Sequence, residues 1–413
     1  MLRREAAVRG IKPLRVSIAT FFLAVFPCMV GSIFFIFSEA HALPQFTRLY
    51  ELKCSKCHLA PPTLNFTGRR FLQNGYRFFR EERDNKTVKD LIKLDRTIPL
   101  GAWLSSQPYE KKNGDVRIRP FHDARLYVGG GIYRDVSAFM RWDLEQEKDY
   151  RFGTRIVTLS YNPTDLLNAH ISWTSVTFHD INDTLQSSRQ LTLKQNSVIS
   201  QPFGGADNDG TLASPRQGIY LSGWLTDNWF YTLGYSGKAD DTDIGNLSTL
   251  SGRLALEIVP MTGYDSYTIA IGAFGMHGFN KNSNNRKFDR VSGDVQMDIP
   301  LINFPIPGVV RLMGAYLWAK DDLERGGSAH NRAWYAQANF ISMSKGDPKW
   351  VPIVRFDEYT KNDGQDVFRE LNLNLTYYFV ENFRAHLEHW VQVHVPAGSD
   401  KDSSVIFRLV FLY

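Results

Sequence analysis

Cys54-Ser55-Lys56-Cys57-His58 is the segment of this chain whose residue types and spacing could do chemistry. Two cysteines three positions apart, followed at once by a histidine, match the attachment pattern of a c-type haem. Thioethers from Cys54 and Cys57 would anchor the porphyrin, and His58 would supply the proximal iron ligand from the same turn of chain. The chemistry on offer is one-electron transfer. A bare CxxCH can also be half of a zinc site, or a disulfide or dithiol pair in an oxidising compartment. A four-ligand structural zinc site wants two further Cys or His nearby, and residues 43–95 hold no histidine besides His58. The third cysteine, Cys28, lies in the N-terminal apolar segment, so a mature chain would keep only the two in the motif. The disulfide alternative leaves His58 without a purpose.

The segments around the motif decide where it acts. Arg3, Arg4, Arg9, Lys12 and Arg15 precede an apolar run from Val16 to Phe37 and then Ala40-His41-Ala42. A basic region, an apolar region and an A-x-A site in that order read as a signal peptide over residues 1–42, cleaved after Ala42. The run is also long enough for a bilayer, which needs ~20 apolar residues, so an uncleaved inner-membrane anchor stays open. Either reading puts Cys54 outside the cytoplasm, where c-type haem is attached. Formal charge is +5, and the leader's five basic and two acidic residues account for three of it, leaving +2. That surplus is too small to suggest a nucleic-acid partner.

Residues 43–96 are not strand-like. After the motif, Pro61-Pro62 breaks the chain, and Leu64 to Tyr76 read as a turn and a short helix ending at Gly75. So short a segment rarely folds on its own without a cofactor or a partner surface. It is expected to be an α/coil haem domain packed on the rest of the chain.

From residue 97 onward the period changes to two. Leu371, Leu373, Leu375 and Tyr377 alternate with Glu370, Asn372, Asn374 and Thr376. Phe383, Ala385, Leu387, Val391 and Val393 likewise oppose Arg384, His386, Glu388, Gln392 and His394. Such strands suit a soluble sandwich, apolar face inward, or a membrane barrel, apolar face to lipid. Three features favour the barrel. The chain ends in Val405, Phe407, Leu409, Phe411 and Tyr413 at alternate positions, as in the C-terminal strand of bacterial outer-membrane proteins. Roughly sixteen strand candidates can be counted, an even number. Connectors alternate short and long, the short ones at Tyr133, Pro163-Thr164-Asp165, Thr226-Asp227 and Val380-Glu381 and the longest from about His179 to Gln217, expected as an extracellular loop. After Ala42 no segment is apolar enough for a membrane helix, and aromatics make up 13% of the chain; without helical spans only a closed barrel satisfies every backbone group in lipid. Trp142, Trp173, Tyr316 and Trp318 fall on the apolar face near strand ends, where aromatic girdles sit. The expected fold is all-β, a transmembrane antiparallel barrel of about sixteen strands over residues 97–413, with the haem domain plugging its lumen.

With the signal peptide, the single CxxCH, the Leu64...Gly68-Arg69...Phe71...Asn74-Gly75-Tyr76 segment and the aromatic C-terminus, the chain resembles the fused cytochrome-porins of iron-oxidising bacteria. In that family a short monohaem domain precedes an outer-membrane barrel, commonly of sixteen strands. The local likeness covers about residues 43–76, and the remainder matches in architecture. The resemblance implies one covalent haem c, with Cys54 and Cys57 as attachment positions and His58 as proximal ligand. It further implies a place in the bacterial outer membrane, extracellular Fe(II) or another redox donor, and a periplasmic c-type cytochrome as acceptor. The family pattern assigns no chemical role to Gly68-Arg69 or Gly75-Tyr76. Arg69 is either a partner for a haem propionate or a packing arginine.

No Met and no second His lies between Leu43 and Arg96, so a His/Met or His/His haem would need its distal ligand from the barrel. His386, Met313 (beside Arg311 on the same face) and His170 have lumen parity and are the candidates; otherwise each is a solvated lumen residue. A five-coordinate or weakly ligated iron is the alternative. Asp240, Asp241, Asp243, Asp321 and Asp322 are hard oxygen ligands or ordinary loop residues, and Asp207 to Gly210 lacks the rest of a calcium loop. Four functions stay open: an inward electron conduit fed by ferrous iron, the same conduit run outward, a diffusion porin with a haem-bearing plug or sensor, and a haem enzyme such as a peroxidase. The last would want a distal catalytic His, which residues 43–95 do not supply.

Overall fold

The computed structural model describes residues 46, 50, 52–78, 100–145, 151–203, 205–207, 210–240, 242–243, 248–259, 267–280, 286–302 and 304–413. The leader expected over residues 1–42 lies outside them. Ahead of the barrel come a 3-10 turn (Cys54–Lys56), the hairpin strands β1 (His58–Ala60) and β2 (Thr63–Leu64), and helix α1 (Phe66–Gln73). Asn65 caps α1 by accepting from the Gly68 amide at 2.9 Å. The helix stops in a Schellman turn: the Tyr76 amide returns to the Phe71 carbonyl and the Gly75 amide to that of Leu72, with Gly75 at φ +67°. The short helix expected to end at Gly75 is therefore present.

The barrel strands are β3 (Leu100–Lys112), β4 (Asp115–Tyr133), β5 (Val136–Glu145), β6 (Phe152–Tyr161), β7 (Asn168–Thr174), β8 (Arg216–Trp224), β9 (Trp229–Ser236), β10 (Thr249–Ile258), β11 (Thr268–Asn280), β12 (Arg286–Leu301), β13 (Gly308–Asp322) and β14 (Ser328–Ser344). After a two-residue turn strand β15 (Asp347–Pro348) come β16 (Trp350–Lys361), β17 (Asp366–Val380), β18 (Phe383–His394) and β19 (Ser403–Leu412). Each pairs antiparallel with its neighbours, and β19 closes on β3 through pairs such as Leu412 with Trp103. Leaving out β15, the closed barrel has sixteen strands. Closure removes the unpaired edge that an open sheet would present.

The sides of the wall are inverted relative to a soluble β protein. Leu373 and Leu375 on β17, Leu387 and Val393 on β18, Leu312 and Tyr316 on β13, and Val291 and Val295 on β12 are exposed on the outside. Their alternates Asn372, Asn374, His386, Glu388 and Arg311 are buried toward the lumen. The apolar exterior and polar interior are what a lipid-facing barrel requires. Among the described residues no helix is long and apolar enough to cross a membrane.

The longest connector departs from expectation. The connector expected outside the barrel, from about His179 to Gln217, turns into it instead where it is described: Ile181, Leu185, Val198, Ile199, Phe203, Ala206 and Leu212 are all buried. The reason lies in the opposite wall. Inward positions of β13 carry Met313, Ala315, Leu317 and Ala319, an apolar strip that forms one core with Val176, Leu185, Val198, Phe203 and Leu212. Around that core, Asp183 pairs with Arg311 at 2.5 Å and Asp180 with Arg253 at 2.8 Å. The Tyr335 hydroxyl donates to the Thr184 carbonyl, and Glu388 accepts from the amides of Leu193 and Lys194. A short helix, α2 (Ser197–Ser200), lies within this connector.

Candidate functional site

The haem-type motif sits in a turn held by its own neighbours. The Asn65 side-chain amide donates to the carbonyls of Ser55 and Lys56, both at 3.1 Å, and the Asn65 backbone amide donates to that of Cys57 at 3.0 Å. Helix α1 then crosses directly over the motif. A Cβ at Gly68 would stand 2.1 Å from the Cys57 carbonyl oxygen, so only glycine permits this approach. The Gly68 and Gly75-Tyr76 elements thus have structural reasons: one lets the helix touch the motif, the other ends the helix and aims Tyr76. That ring stacks on Phe46 at 5.3 Å and on Phe139 of β5 at 5.7 Å.

The segment docks at the barrel end that carries the short turns. The Cys54 amide donates to Glu381 in the β17–β18 turn, and Arg70 donates to the Asp227 carbonyl in the β8–β9 turn. Arg77 reaches the Val136 carbonyl at the start of β5. Arg69, weighed above as a propionate partner, is buried in an ion pair with Glu257 near the end of β10 and also donates to the Leu64 carbonyl. Its cationic charge is therefore spent on docking. Pro61 is held from the wall by the Tyr378 hydroxyl at 2.6 Å and by Arg384 at 2.5 Å.

Between the segment and the wall lies a cavity of about 210 Å³ lined by Cys54, Cys57 and His58. Its floor is Leu64, Phe71, Leu72 and Tyr76 from the segment; its far side is Trp103, Tyr127, Phe139 and Ile156 from the wall and Phe178 from the inward connector. A flat apolar ring system with thioether and imidazole anchors at one edge fits that chemistry. The His58 Nδ1 lies 3.1 Å from the Thr63 carbonyl, which makes Nδ1 the protonated nitrogen and leaves the Nε2 lone pair for a metal. Burial pushes the His58 imidazole down to about 4, so the ring is neutral, as ligation demands. Burial also pushes the Cys57 thiol up to about 11, so it is protonated at neutral pH and a poor nucleophile for disulfide exchange. No disulfide joins Cys54 to Cys57 among the described residues.

The distal-ligand candidates are placed elsewhere. His386 does line a second, polar cavity of about 440 Å³ further along the lumen, but both its ring nitrogens are engaged, by Thr376 at 2.9 Å and by Arg384 at 3.0 Å. His170 is bonded to Ser160 and Ser222 and stacks on His179 of the inward connector at 3.9 Å. Met313 is packed in the apolar core under that connector. None of the three lines the cavity that holds His58, and among the described residues lining it His58 is the sole histidine and methionine is absent. Lumen parity was legible for all three; engagement with neighbouring side chains was not. Of the acidic loop positions, Asp321 pairs with Arg290 and Asp322 accepts from the Lys287 amide; in the Asp207 to Gly210 run, Asp207 pairs with Arg216. Asp241, Asn208 and Asp209 lie outside the described residues.

Arg384, Arg125 and Trp103 border both cavities, and no motif in the sequence marks them. The one available signal was Arg384 at lumen parity on β18.

No protein-family model and no curated protein matches the chain. Solved structures do resemble it. An anion-selective porin from Comamonas acidovorans is similar at 12% identity and a TM-score of 0.53, over 76% of this chain and 98% of that one. OmpF of Salmonella typhi, solved with daunomycin, is similar at 12% identity and 0.52, over 76% and 97%. A loop-deleted OmpT, an outer membrane protein of Vibrio cholerae, is similar at 12% identity and 0.50, over 76% and 99%. At such identities the likeness is one of fold: a porin-like barrel, covering nearly the whole of each porin and leaving part of this chain beyond it.

Proposed function

We propose that this chain is an outer-membrane barrel whose N-terminal segment carries one covalent haem c, and that it moves electrons between an extracellular donor, ferrous iron, and a periplasmic c-type cytochrome. The observation that carries the redox reading is a single one: Cys54, Cys57 and His58 together border an apolar cavity at the mouth of a lumen. The outer-membrane location is supported by the apolar exterior and by the porin-like fold.

In this reading Cys54 and Cys57 attach the group and His58 ligates its iron through Nε2, oriented by the Thr63 carbonyl. A bound haem supplies a one-electron couple, with the ferrous donor oxidised to ferric and the periplasmic cytochrome reduced. Tyr76, Phe139 and Phe178 exclude water from the apolar faces. A bilayer core is ~30 Å thick, too far for one centre at one face to serve both, so a donor must enter the lumen from the long-connector end. The polar cavity of about 440 Å³ beside the inward connector is the space for it.

A second reading is favoured by the fold itself. The likeness to porins and the polar lumen cavity support a diffusion channel whose plug bears the haem. Stopped-flow addition of Fe(II) to the purified full-length chain separates the two. Reduction of the haem is expected; a haem that stays oxidised while planar bilayers show steady pore conductance replaces the conduit with the channel.

A further inference from the structure

One buried cation at the junction of the two cavities lacks a counter-charge. Arg384 on β18 is 2% exposed. Its Nη1 donates to the Pro61 carbonyl at 2.5 Å and its Nε to the neutral His386 ring at 3.0 Å. Its guanidinium lies 4.8 Å from the centre of the Trp103 ring and 5.8 Å from that of Tyr378. Among the described residues no carboxylate pairs with it. The other arginines bordering the apolar cavity are committed: Arg125 to Asp123, Arg141 to Asp143, Arg189 to Asp183. Arg125 lies over the same Trp103 ring at 4.7 Å, so two guanidiniums share one aromatic ring where apolar space gives way to polar. A buried charge is tolerated when paired and is costly when left alone.

Haem is amphiphilic in the same sense as these cavities: an apolar ring system with two carboxylates on one edge. We infer that the propionate edge of the haem is held at this junction by Arg384, with Arg125 beside it, so that the edge facing the polar lumen cavity is the one a donor meets. The inference rests on the proposed haem attachment at Cys54 and Cys57. A planar, permanently charged fork is the side chain best suited to a carboxylate, and a cation there raises the reduction potential by stabilising the electron-rich state.

The test is spectroelectrochemical titration of the full-length protein in detergent, with resonance Raman of the propionate bending modes. Arg384→Gln keeps a donor toward the Pro61 carbonyl but removes the charge. Its midpoint potential should fall by at least a tenfold change in the reduction constant, about 59 mV for one electron, with shifted propionate modes. Arg384→Lys should recover most of the potential. Tyr378→Phe removes the other hydrogen bond to Pro61 without touching charge, and should leave both readouts near wild type. An unshifted Arg384→Gln, or equal shifts in Arg384→Gln and Tyr378→Phe, overturns the inference while the haem stands. Wild-type protein without thioether-linked haem, shown by its pyridine haemochrome, overturns the haem reading and this inference with it.

Discussion

Two bodies sit in the lumen, and they differ in how much charge anchors them. The inward connector, residues 175–215, is bound by charge: Asp180 and Asp183 to Arg253 and Arg311, Asp207 to Arg216, all buried. The N-terminal segment has one buried ion pair among the described residues, Arg69–Glu257, and is otherwise bound mostly through uncharged backbone groups on one side or the other: the Pro61 carbonyl to Tyr378 and Arg384, the Leu64 carbonyl to Arg311, and Arg70 and Arg77 to the carbonyls of Asp227 and Val136. The connector meets the wall along a large apolar core; the segment packs on it through a smaller one, Leu59 and Ala60 against Val309, Ile341, Val351 and Ile353, and its motif face borders a cavity of about 210 Å³.

The largest effect should separate them outright. Cys54→Ala with Cys57→Ala is expected to abolish covalent haem, read as loss of haem staining and of the haemochrome spectrum, with the barrel still heat-modifiable on gels. Retained covalent haem would remove the reason for the cavity. On the other side, Arg311→Met leaves Asp183 and Asp298 buried without their shared cation. Removing one partner of such a pair costs about 3–5 kcal/mol, so residues 175–215 should become susceptible to limited proteolysis while haem staining persists. Haem loss in that variant would mean the two bodies are one cooperative unit.

The sequence made the wall legible and the inside of the wall much less so. Alternation in β17, β18 and β19 placed Leu373, Leu387 and Phe407 outward and Asn374, His386 and Glu388 inward, because a period of two is set by backbone geometry alone. The direction of the 175–215 connector was hidden, since a long polar stretch reads the same whether it leaves the barrel or enters it. The usable clue was complementary: apolar Met313, Ala315, Leu317 and Ala319 at lumen parity on β13 needed something apolar to cover them. The motif residues stood out because their spacing is that of a haem-attachment pattern, and the fold brings all three to the border of one cavity. Among the junction residues, Trp103 and Arg125 are cross-strand partners on adjacent β3 and β4, whereas Arg384 on β18 joins them from the far end of the sequence only by closure of β19 on β3.

A smaller effect tests how tightly the segment needs its helix. Gly68→Ala places a methyl against the Cys57 carbonyl, and an overpacked contact of this kind costs about 1–3 kcal/mol. The expected result is a weakened plug: higher pore conductance in bilayers with β-barrel content unchanged by circular dichroism. Wild-type conductance in that variant would show that α1 can shift without loosening the seal.

The smallest effect concerns the connector and pH. His179 is buried between His170 and Phe178, and burial first, then His170 and Arg189, push its imidazole well below the ordinary value near 6.5. The docked connector therefore holds His179 neutral, while a released connector would take up a proton below about pH 6.5. The released state binds more protons, so docking is at full strength above that pH and weakens as pH falls, by about 1.4 kcal/mol per unit at most. Proteolysis within residues 175–215 by an acid-active protease should accelerate on acidification from pH 6.5 to 5. His179→Gln should flatten that dependence, and a profile as steep as wild type would place the acid sensitivity elsewhere.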